Sequence, residues 1–466
     1  MIEAVDTRAR GLRSRREEAI AAASVVRRLD WILLAATGAL VAYGLWAIAG
    51  ITRHDVSGNA NYYVVRQGVY ASLGLLALLV AVFVDPEYYR RYRKQIYVAT
   101  LGLMVVVLLA GAVTRGSKRW LDLGFFKFQP SEFGKLLLVL FLAGLLALVV
   151  AVFVDPEYYR RYRKQIYAGT LGLMVIVLLA GAVTRGSKRW LDLGFFKFQP
   201  SEFGKLFVVL FLAGLLADRA KKIGDNRTVL AAIAFAAGPI FLVFIQPDLG
   251  TAMVYAAALA GVLFLAGTRW THLAILGGAT LVGALLVLWI LPAAGHPVLK
   301  NYQQQRIVGF MHRNDDPRGA TYNVTQSINS VGAGGVTGRG VKGATQTNLN
   351  FLPEHATDFV FASVAEQRGF VGVSVLLLLY LLVIWRGLKV MAGARDAFSA
   401  IAAGGIVVAL LFQVFINVGM TIGIAPITGI PLPFVSVGGS AMIANLLAIG
   451  VLEAIYVRGN AHRRRV

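Results

Sequence analysis

Residues 350–385 read NFLPEHATDFVFASVAEQRGFVGVSVLLLLYLLVIW, a polar stretch that leads directly into a long apolar one. The apolar part, 359–385, is long enough to cross a bilayer, because about 20 helical residues span its hydrocarbon core. Asp358 therefore lies at the rim of a predicted span, where a charged side chain costs up to roughly 3 kcal/mol if it nears the bilayer centre. Two interpretations stay open: the carboxylate caps the helix through backbone N–H groups, or it has a functional role.

The composition of the whole chain is that of a membrane protein. Of the 466 residues, 57% are hydrophobic and 15% are charged, and the mean hydropathy is +0.67. These values predict an all-α, polytopic membrane helical bundle. The formal charge of +22 arises from basic residues that flank apolar runs. Since no nucleic-acid-binding pattern accompanies them, anionic membrane lipid is the predicted partner and nucleic acid is not.

Cysteine and histidine restrict the chemistry further. The chain contains no cysteine, which excludes disulfides, thiolate catalysis and cysteine metal sites. The six histidines are scattered without ligand spacing, so we predict no histidine-built metal site. The glycines of 332–343 match neither a Walker loop nor a dinucleotide fingerprint. They are interpreted as turns, or at most as backbone N–H groups available to an anion.

Basic clusters predict the topology. Seven arginines precede the first predicted span at about 31–50, and a basic tail occupies 458–466. By the positive-inside rule, the segment 1–30 and the tail are both cytoplasmic. The apolar runs between them, within 31–457, predict about twelve spans. A polar loop of about 65 residues, 293–358, is expected on the outer face, and loops of that length are usually functional.

An internal repeat interrupts the chain: residues 78–147 recur as 148–217 with six differences. The unit is longer than a solenoid repeat and contains membrane spans, so a tandem duplication is the preferred interpretation. The extra residues add two crossings, and an even number preserves every orientation downstream. A stitched sequence is the alternative.

Each copy opens a span with the sequence QPSEFGK, at 129–135 and 199–205. Proline and glutamate suit a helix start, but a lysine in the first turn opposes the helix dipole. The spacing of three places each lysine on the face of its glutamate. We therefore predict that both pairs bind substrate, with a structural ion pair as the alternative. The pairs are Glu132 with Lys135 and Glu202 with Lys205.

Other charged groups lie at the same span ends. The sequence SKRWLDLG precedes each pair and contributes Arg189 and Trp190 in the second copy. Basic groups beside a tryptophan suit a phosphate, whereas the tryptophan alone suits an interfacial anchor. Asp248 in Gln-Pro-Asp and Glu354 in Pro-Glu repeat the theme. Their shared location predicts a site at the outer membrane surface for a charged substrate with a lipid tail.

These segments resemble the SEDS family (shape, elongation, division and sporulation) from the first span to the last. The matching sequences, in order, are RWLDLG with QPSE, QPDLGT at 246–251, YQQQR at 302–306, LPEHATDF at 352–359 and GIPLPFVSVGGS at 429–440. Together they are highly specific, and GIPLP with QPDLG favours the elongation members over the division members. The family usually has ten spans, to which the repeat adds two.

The resemblance implies a peptidoglycan glycosyltransferase that polymerises lipid II on the outer face of the cytoplasmic membrane. It implies a class B penicillin-binding protein as the partner transpeptidase, among the proteins of the cell-elongation complex. The family's catalytic aspartate falls on Asp358, which would deprotonate or orient the acceptor sugar hydroxyl. Lys205, Arg189 and Arg306 would stabilise the leaving diphosphate. No organic cofactor is implied, and assistance by Mg²⁺ or Mn²⁺ stays open.

Three departures from the family pattern are visible. The duplication leaves open which copy lines the site, and the second is favoured because its last span continues into the unduplicated remainder. His355 precedes Ala356, whereas the family's histidine commonly stands directly before Thr-Asp-Phe, which argues against a direct role for it. Val437 replaces a usual tyrosine, and Gln367 with Arg368 replaces an acidic and an apolar residue.

Two other functions compete with a polymerase: a flippase for lipid-linked precursors, and an inactive scaffold for the penicillin-binding protein. A transporter should carry polar residues through the membrane midplane, with interrupted helices there. The charges here cluster at the outer ends of spans, which favours chemistry at the surface. A scaffold would not depend on Asp358.

Overall fold

The computed structural model describes residues 29–56, 59–83, 197–246, 248–293 and 322–463, with Phe310 and short pieces between 121 and 192. The helices of these residues are α1 (Trp31–Ile51), α2 (Tyr62–Phe83), α3 (Pro200–Asp218), α4 (Asn226–Ile245), α5 (Leu249–Leu265), α6 (Trp270–Leu285), α7 (Tyr322–Gly334), α8 (Gly340–Gly343), α9 (Thr345–Asn348), α10 (Val360–Ala392), α11 (Ala397–Thr421) and α12 (Gly439–Arg463). A 3₁₀ turn (Ala220–Lys222) follows α3, and a π-helical segment (Leu286–Ile290) and a short helix (Leu291–Ala293) continue α6.

Seven helices among the described residues are long and apolar enough to cross a membrane, which confirms the polytopic helical class. They are α1, α2, α3, α4, α10, α11 and α12, whereas α5 and α6 are shorter apolar helices. The predicted spans within 84–181 lie outside the described residues, apart from the short pieces. The number of twelve spans therefore stays a prediction.

Short β-hairpins precede α3, and the all-α prediction did not include them. β3 (Ala182–Thr184) pairs with β4 (Ser187–Asp192), and β4 pairs with β5 (Lys197–Phe198), all antiparallel. In the first copy of the repeat, β1 (Leu121–Asp122) pairs with β2 (Lys127–Phe128). The register of β1 with β2 is that of β4 with β5 at equivalent positions, so both copies form the same local pairing.

The helix α3 lies at the centre of the bundle. Every residue from 200 to 216 is buried, and α3 packs against α4, α5, α11 and α12. Around it, α2 packs on α12, α1 packs on α10, and α10 packs on α11. A helix that is apolar and buried on all sides belongs to a protein interior. Charged residues on α3 are therefore surrounded by protein rather than by lipid.

The long helix α10 is interrupted at Gly369, which has φ 65° and ψ −166°. The interruption frees backbone donors, and the segment after α7 satisfies them: Phe370 N donates to Gly335 O at 2.8 Å and Val371 N to Val336 O at 3.1 Å. A Cβ at Gly369 would stand 2.3 Å from Gly338 N, so only glycine fits this close approach. The break is thus filled by the protein's own chain.

The predicted outer loop at 293–358 contains α7, α8 and α9 in its described part, so it is partly helical. The interpretation of its glycines as turns is right for Gly335 and Gly338, with φ of 53° and 84°, and for Gly340, which has φ 71° at the start of α8. It is wrong for Gly332, Gly334 and Gly343, which lie within α7 and α8. The reason at Gly334 is packing, since a Cβ there would stand 1.9 Å from Ala365 O.

Three ionisable side chains from three segments meet at the end of the bundle where α1 begins. Asp30 caps α1 through Leu33 N at 3.1 Å and accepts from Arg386 Nε at 2.8 Å and from Arg386 Nη2. Glu453 accepts from the backbone N–H of Asp30 at 3.0 Å. Asp30, Arg386 and Glu453 are 2%, 9% and 0% exposed. This buried ionic cluster joins α1, α10 and α12.

Candidate active site

The opposite end of the bundle gathers the starts of α3, α5, α10 and α12. Gln199, just before α3, donates its backbone N–H to Ser440 Oγ at 3.0 Å and its Nε2 to Asp248 Oδ2 at 3.1 Å. Asp248 also accepts from Thr251 N at 3.2 Å and so caps α5. The predicted site residue Asp248 is 3% exposed, and its hydrogen bonds connect the start of α3 to the start of α5.

Asp358 is half-buried, and other segments hold its backbone in place. The carbonyl oxygens of Ala356, Thr357 and Asp358 each accept a hydrogen bond. The donors, in the same order, are Val437 N at 2.9 Å, Ser436 Oγ at 2.5 Å and Asn417 Nδ2 at 2.9 Å. These bonds fix the last three residues of the segment 352–358, which we call the Asp358 loop.

The segment 430–438, which supplies two of these donors, is itself held by α2 and α11. Gln67 donates from Nε2 to Ser436 O at 3.0 Å and accepts from Gly438 N at 3.2 Å. Asn417 Nδ2 makes a second hydrogen bond, to Ile430 O at 2.7 Å. Since Gln67 and Asn417 are both fully buried, the support of the Asp358 loop is a set of neutral amides inside the bundle.

His355 connects the Asp358 loop to the turn after α1. Its Nε2 lies 3.0 Å from Asp55 Oδ1 and 3.1 Å from Asp55 Oδ2, and its Nδ1 lies 3.2 Å from Leu352 O. Burial of the ring opposes its charged form, but the hydrogen bond and charge of Asp55 outweigh burial and raise the pKa of His355 above its usual value. The nearby charge of Glu354 acts in the same direction.

Glu354 lies in the turn that leads to Asp358. Its φ is 55°, an unusual value for a residue with a side chain. Its carbonyl accepts from Thr357 N at 3.1 Å and Phe359 N at 3.2 Å, and its carboxylate accepts from Thr357 Oγ1 at 3.0 Å. Glu354 thus shapes the Asp358 loop, while substrate binding by it stays a prediction.

The predicted pair of Glu202 and Lys205 forms, but inside the bundle. Lys205 Nζ lies 2.8 Å from Glu202 Oε2 and 3.0 Å from Gln413 Oε1. The side chain of Lys205 is 7% exposed and that of Glu202 is 3% exposed. A lysine that is buried and already paired fits the structural alternative. Binding of substrate by this pair stays a prediction.

A small cavity adjoins this pair between α3, α11 and α12. Its volume is about 20 Å³, and Glu202, Lys205, Gln413 and Asn445 are among its lining residues. That volume holds about one water molecule. Asn445 Nδ2 is buried without a partner in the described part of the chain, so a water that bridges it to the pair fits the cavity.

The other predicted site residues are less well placed. Arg189 and Trp190 lie in β4, which leads through β5 to α3. Glu132, Lys135 and Arg306 lie outside the described residues. Their predicted roles therefore stay predictions.

Sequence reasoning missed the amides that support the site. Gln413 and Asn417 stand four residues apart in the apolar run of α11 and therefore share one helix face. Polar side chains inside a predicted span are costly, and this spacing was the signal available in the sequence. Gln67 gave a similar signal in α2. The partner Asp55 gave none, because its turn is short and polar.

For a metal ion, the described residues bring no group of three or more His, Asp or Glu side chains together. A metal site built by protein side chains alone would need at least such a group of ligands, whereas Mg²⁺ is usually bound by one or two carboxylates together with substrate phosphates and water. Assistance by Mg²⁺ or Mn²⁺ therefore stays a prediction.

Comparison with known proteins gives a family and close relatives. The family of cell cycle proteins described as FtsW, RodA and SpoVE matches residues 27–148 and 142–460. The two matches meet where one copy of the repeat ends and the next begins. The peptidoglycan glycosyltransferase MrdB of Escherichia coli is 39% identical over 315 residues, 67% of this chain and 82% of MrdB. The stage V sporulation protein E of Bacillus subtilis is 35% identical over 357 residues, 76% of this chain and 92% of that protein.

Two solved structures show the same fold. One is a chain from a structure described as the structural coordination of polymerization and crosslinking by a peptidoglycan synthase complex. Its TM-score is 0.65 at 24% sequence identity, and the match covers 92% of this chain and 98% of that chain. The other is the rod shape determining protein RodA of Thermus thermophilus, with a TM-score of 0.56 at 22% identity over 92% of this chain and 96% of its own.

Proposed function

Because the chain belongs to the FtsW, RodA and SpoVE family of cell cycle proteins, we propose that it is a peptidoglycan glycosyltransferase. It polymerises lipid II into glycan strands on the outer face of the cytoplasmic membrane during cell elongation. The observation that carries the proposal is the half-buried Asp358 on a backbone held by three successive carbonyl hydrogen bonds. A carboxylate placed in this way is suited to act on a substrate that approaches the end of the bundle.

Asp358 serves as the general base. It accepts the proton of the acceptor sugar hydroxyl as the hydroxyl oxygen forms a bond to the anomeric carbon of the donor. The bond from that carbon to the phosphate oxygen breaks, and the lipid diphosphate leaves with the electron pair. A correctly placed base contributes about 10²-fold to 10⁴-fold to such a step.

The charge that develops on the leaving diphosphate needs cationic partners. Arg189 and Arg306 are the residues that we propose for this role. Lys205 joins them only if substrate displaces its present partners, because its ammonium is held by Glu202 and Gln413. We assign the Lys205 pair mainly to the stability of α3 within the bundle.

The protein is a multi-pass membrane protein, and we propose that both termini are cytoplasmic. The buried ionic cluster would then face the cytoplasm, and Asp358 the outer surface. The basic segments 1–30 and 458–466 support this orientation through the positive-inside rule. The same segments suit anionic lipid head groups.

We propose a class B penicillin-binding protein as the partner that crosslinks the new strands, within the elongation complex. The support is the neighbouring structure from a synthase complex of polymerization and crosslinking. Such a partner fits the chemistry, since a glycan polymer needs a transpeptidase to become a network.

A flippase for lipid-linked precursors is the second candidate, and the interrupted helix α10 is the observation that favours it. The backbone N–H groups of Phe370 and Val371, which the break frees, donate to Gly335 O and Val336 O. These two groups are therefore not available to bind a substrate. An inactive scaffold is the third candidate, and the clamped Asp358 loop has no purpose in it.

Polymer formation from labelled lipid II by the purified chain with a class B partner tests these candidates. A polymerase loses its product on Asp358→Asn and keeps its partner. Retained product in this variant would refute the role of Asp358. Lipid transport without product in either protein would favour the flippase.

A further inference from the structure

The carbonyl hydrogen bonds hold the last three residues of the Asp358 loop, and a different contact holds its middle. The ring of His355 lies between Leu352 O and the carboxylate of Asp55, with both ring nitrogens within 3.2 Å of an oxygen. Both partners can only accept a hydrogen bond. A neutral imidazole has one N–H and satisfies one of them, whereas the imidazolium satisfies both.

The charges around the ring agree with this geometry. The acidic groups that act on it are Asp55, on the turn after α1, and Glu354, in its own loop. Arg53 and His54 share the turn with Asp55 but are exposed. His355 itself is 8% exposed, so the contact with Asp55 is shielded from solvent and stronger than a surface ion pair.

The contact also reaches Asp358 along the chain. Ser363 Oγ, in the first turn of α10, donates to His355 O at 3.2 Å. The next three residues carry the carbonyls that Val437, Ser436 and Asn417 hold. His355 is therefore fixed to the turn after α1 by its ring and to α10 by its backbone, three residues before the proposed base.

We propose that the imidazolium of His355 is a positioning residue, which ties the Asp358 loop to Asp55 and holds the base in place for the acceptor hydroxyl. The inference rests on the proposed function of Asp358. His355 touches no reacting atom, and its effect passes through the loop. A displacement of a reacting group by about 1 Å costs up to about 100-fold in rate. A contact that holds the loop three residues before Asp358 therefore matters for the reaction.

The tie has a pH dependence whose sign follows from its chemistry. The folded protein holds the charged ring, so the pKa of His355 lies above its usual value. The stabilisation that the ring's charge gives to this contact is complete at pH below the unfolded pKa. It is lost as pH rises through the folded pKa, because the neutral ring donates to only one of its two acceptors. Polymerisation should therefore fall at alkaline pH.

The test is the pH profile of lipid II polymerisation, from about pH 5 to about pH 9, by the full chain with its class B partner in nanodiscs. In His355→Gln the alkaline limb should disappear and kcat should drop about 10-fold with KM unchanged. In Asp55→Asn, which keeps the histidine, the alkaline limb should move to lower pH. The double variant should be no worse than either single one, because both remove the same tie.

The matched control is His272→Gln, which removes a half-buried histidine whose Nε2 lies 2.8 Å from Asn226 Oδ1. Its pH profile should equal that of the wild type. Unchanged kcat and alkaline limb in His355→Gln would overturn the inference, as would a higher KM with unchanged kcat, which indicates direct contact with substrate. Wild-type product that depends on Asp358 shows separately that the proposed function holds. A wild type without product refutes the proposed function instead.

Discussion

Two carboxylates at opposite ends of the bundle, those of Asp30 and Asp358, have different surroundings. In the buried ionic cluster, Asp30 and Glu453 are almost fully enclosed, and Arg386 donates directly to the Asp30 carboxylate. At the other end Asp358 is half-buried, and a neighbouring segment holds its backbone carbonyl. A carboxylate enclosed with arginine keeps helices together. A half-buried residue such as Asp358 stays partly open to its surroundings.

This difference teaches where chemistry and stability are separated in the chain. Breaking a buried ion pair leaves an uncompensated charge and destabilises by about 3 to 5 kcal/mol. Changing a half-exposed carboxylate to its amide costs little stability. Variants at the two ends should therefore differ in which property they lose.

The largest expected effect is that of Asp358→Asn, which removes the base. Polymerisation should fall about 10²-fold to 10⁴-fold, with little change in thermal unfolding. The matched control is Asp396→Asn, an exposed cap that accepts from Ser399 N at 3.0 Å at the other end; asparagine caps a helix equally well, so rate and stability should stay the same. Equal polymerisation rates for Asp358→Asn and Asp396→Asn would contradict the assignment of the base to Asp358.

Arg386→Met comes next. It leaves Asp30 and Glu453 buried together without their cation, and the free energy of unfolding should fall by about 3 to 5 kcal/mol. Denaturant unfolding in detergent measures this loss. Lys389→Met is the control, since that exposed lysine lies 3.9 Å from the ring centroid of Trp385 and its loss costs about 1 kcal/mol or less. A similar loss for both would contradict a special role of the cluster.

Asn417→Ala should have a smaller effect on the rate. It leaves Asp358 O and Ile430 O without their donor, a loss of about 1 to 3 kcal/mol for each buried group. We expect a kcat about 10-fold lower, because the Asp358 loop loses one of its supports. Asn445→Ala is the control, because its Nδ2 has no partner in the described part of the chain. Equal kcat values for Asn417→Ala and Asn445→Ala in steady-state kinetics would argue against a role of the carbonyl hydrogen bonds in holding the Asp358 loop.

Deletion of 148–217 should have the smallest effect. The remaining copy supplies a nearly identical α3, with Glu132 and Lys135 in the places of Glu202 and Lys205. The deletion removes two predicted crossings, so the predicted orientation of both ends is preserved. Product yield and unfolding temperature should stay close to those of the full chain. Product from the shortened chain alone would mean that the duplication blocks the site.

The sequence predicts much of this fold and part of the site. Apolar runs of about 20 residues predict the spans, and α1, α10 and α11 begin within a residue or two of the predicted positions. The spacing of three between Glu202 and Lys205 predicts their pairing. Asp358 stands out because an acidic residue at the rim of a span is costly.

Other features depend on contacts that no local pattern contains. Asp30 meets Glu453, which lies 423 residues away. The donors of the Asp358 loop bind backbone carbonyls, and every residue has one, so sequence carries no sign of which carbonyl is chosen. The interruption at Gly369 is likewise hidden, since a glycine in an apolar span is common and only its φ of 65° reveals the break.

The most direct measurement is polymer formation from labelled lipid II, divided by the amount of folded protein, for the wild type, Asp358→Asn and Arg386→Met with the same class B partner. The separation of the two ends predicts about 10²-fold to 10⁴-fold less product from Asp358→Asn. It predicts near wild-type product per folded molecule from Arg386→Met. Wild-type product from Asp358→Asn, or loss of product by folded Arg386→Met, would contradict the claim that the chemistry lies at the Asp358 end.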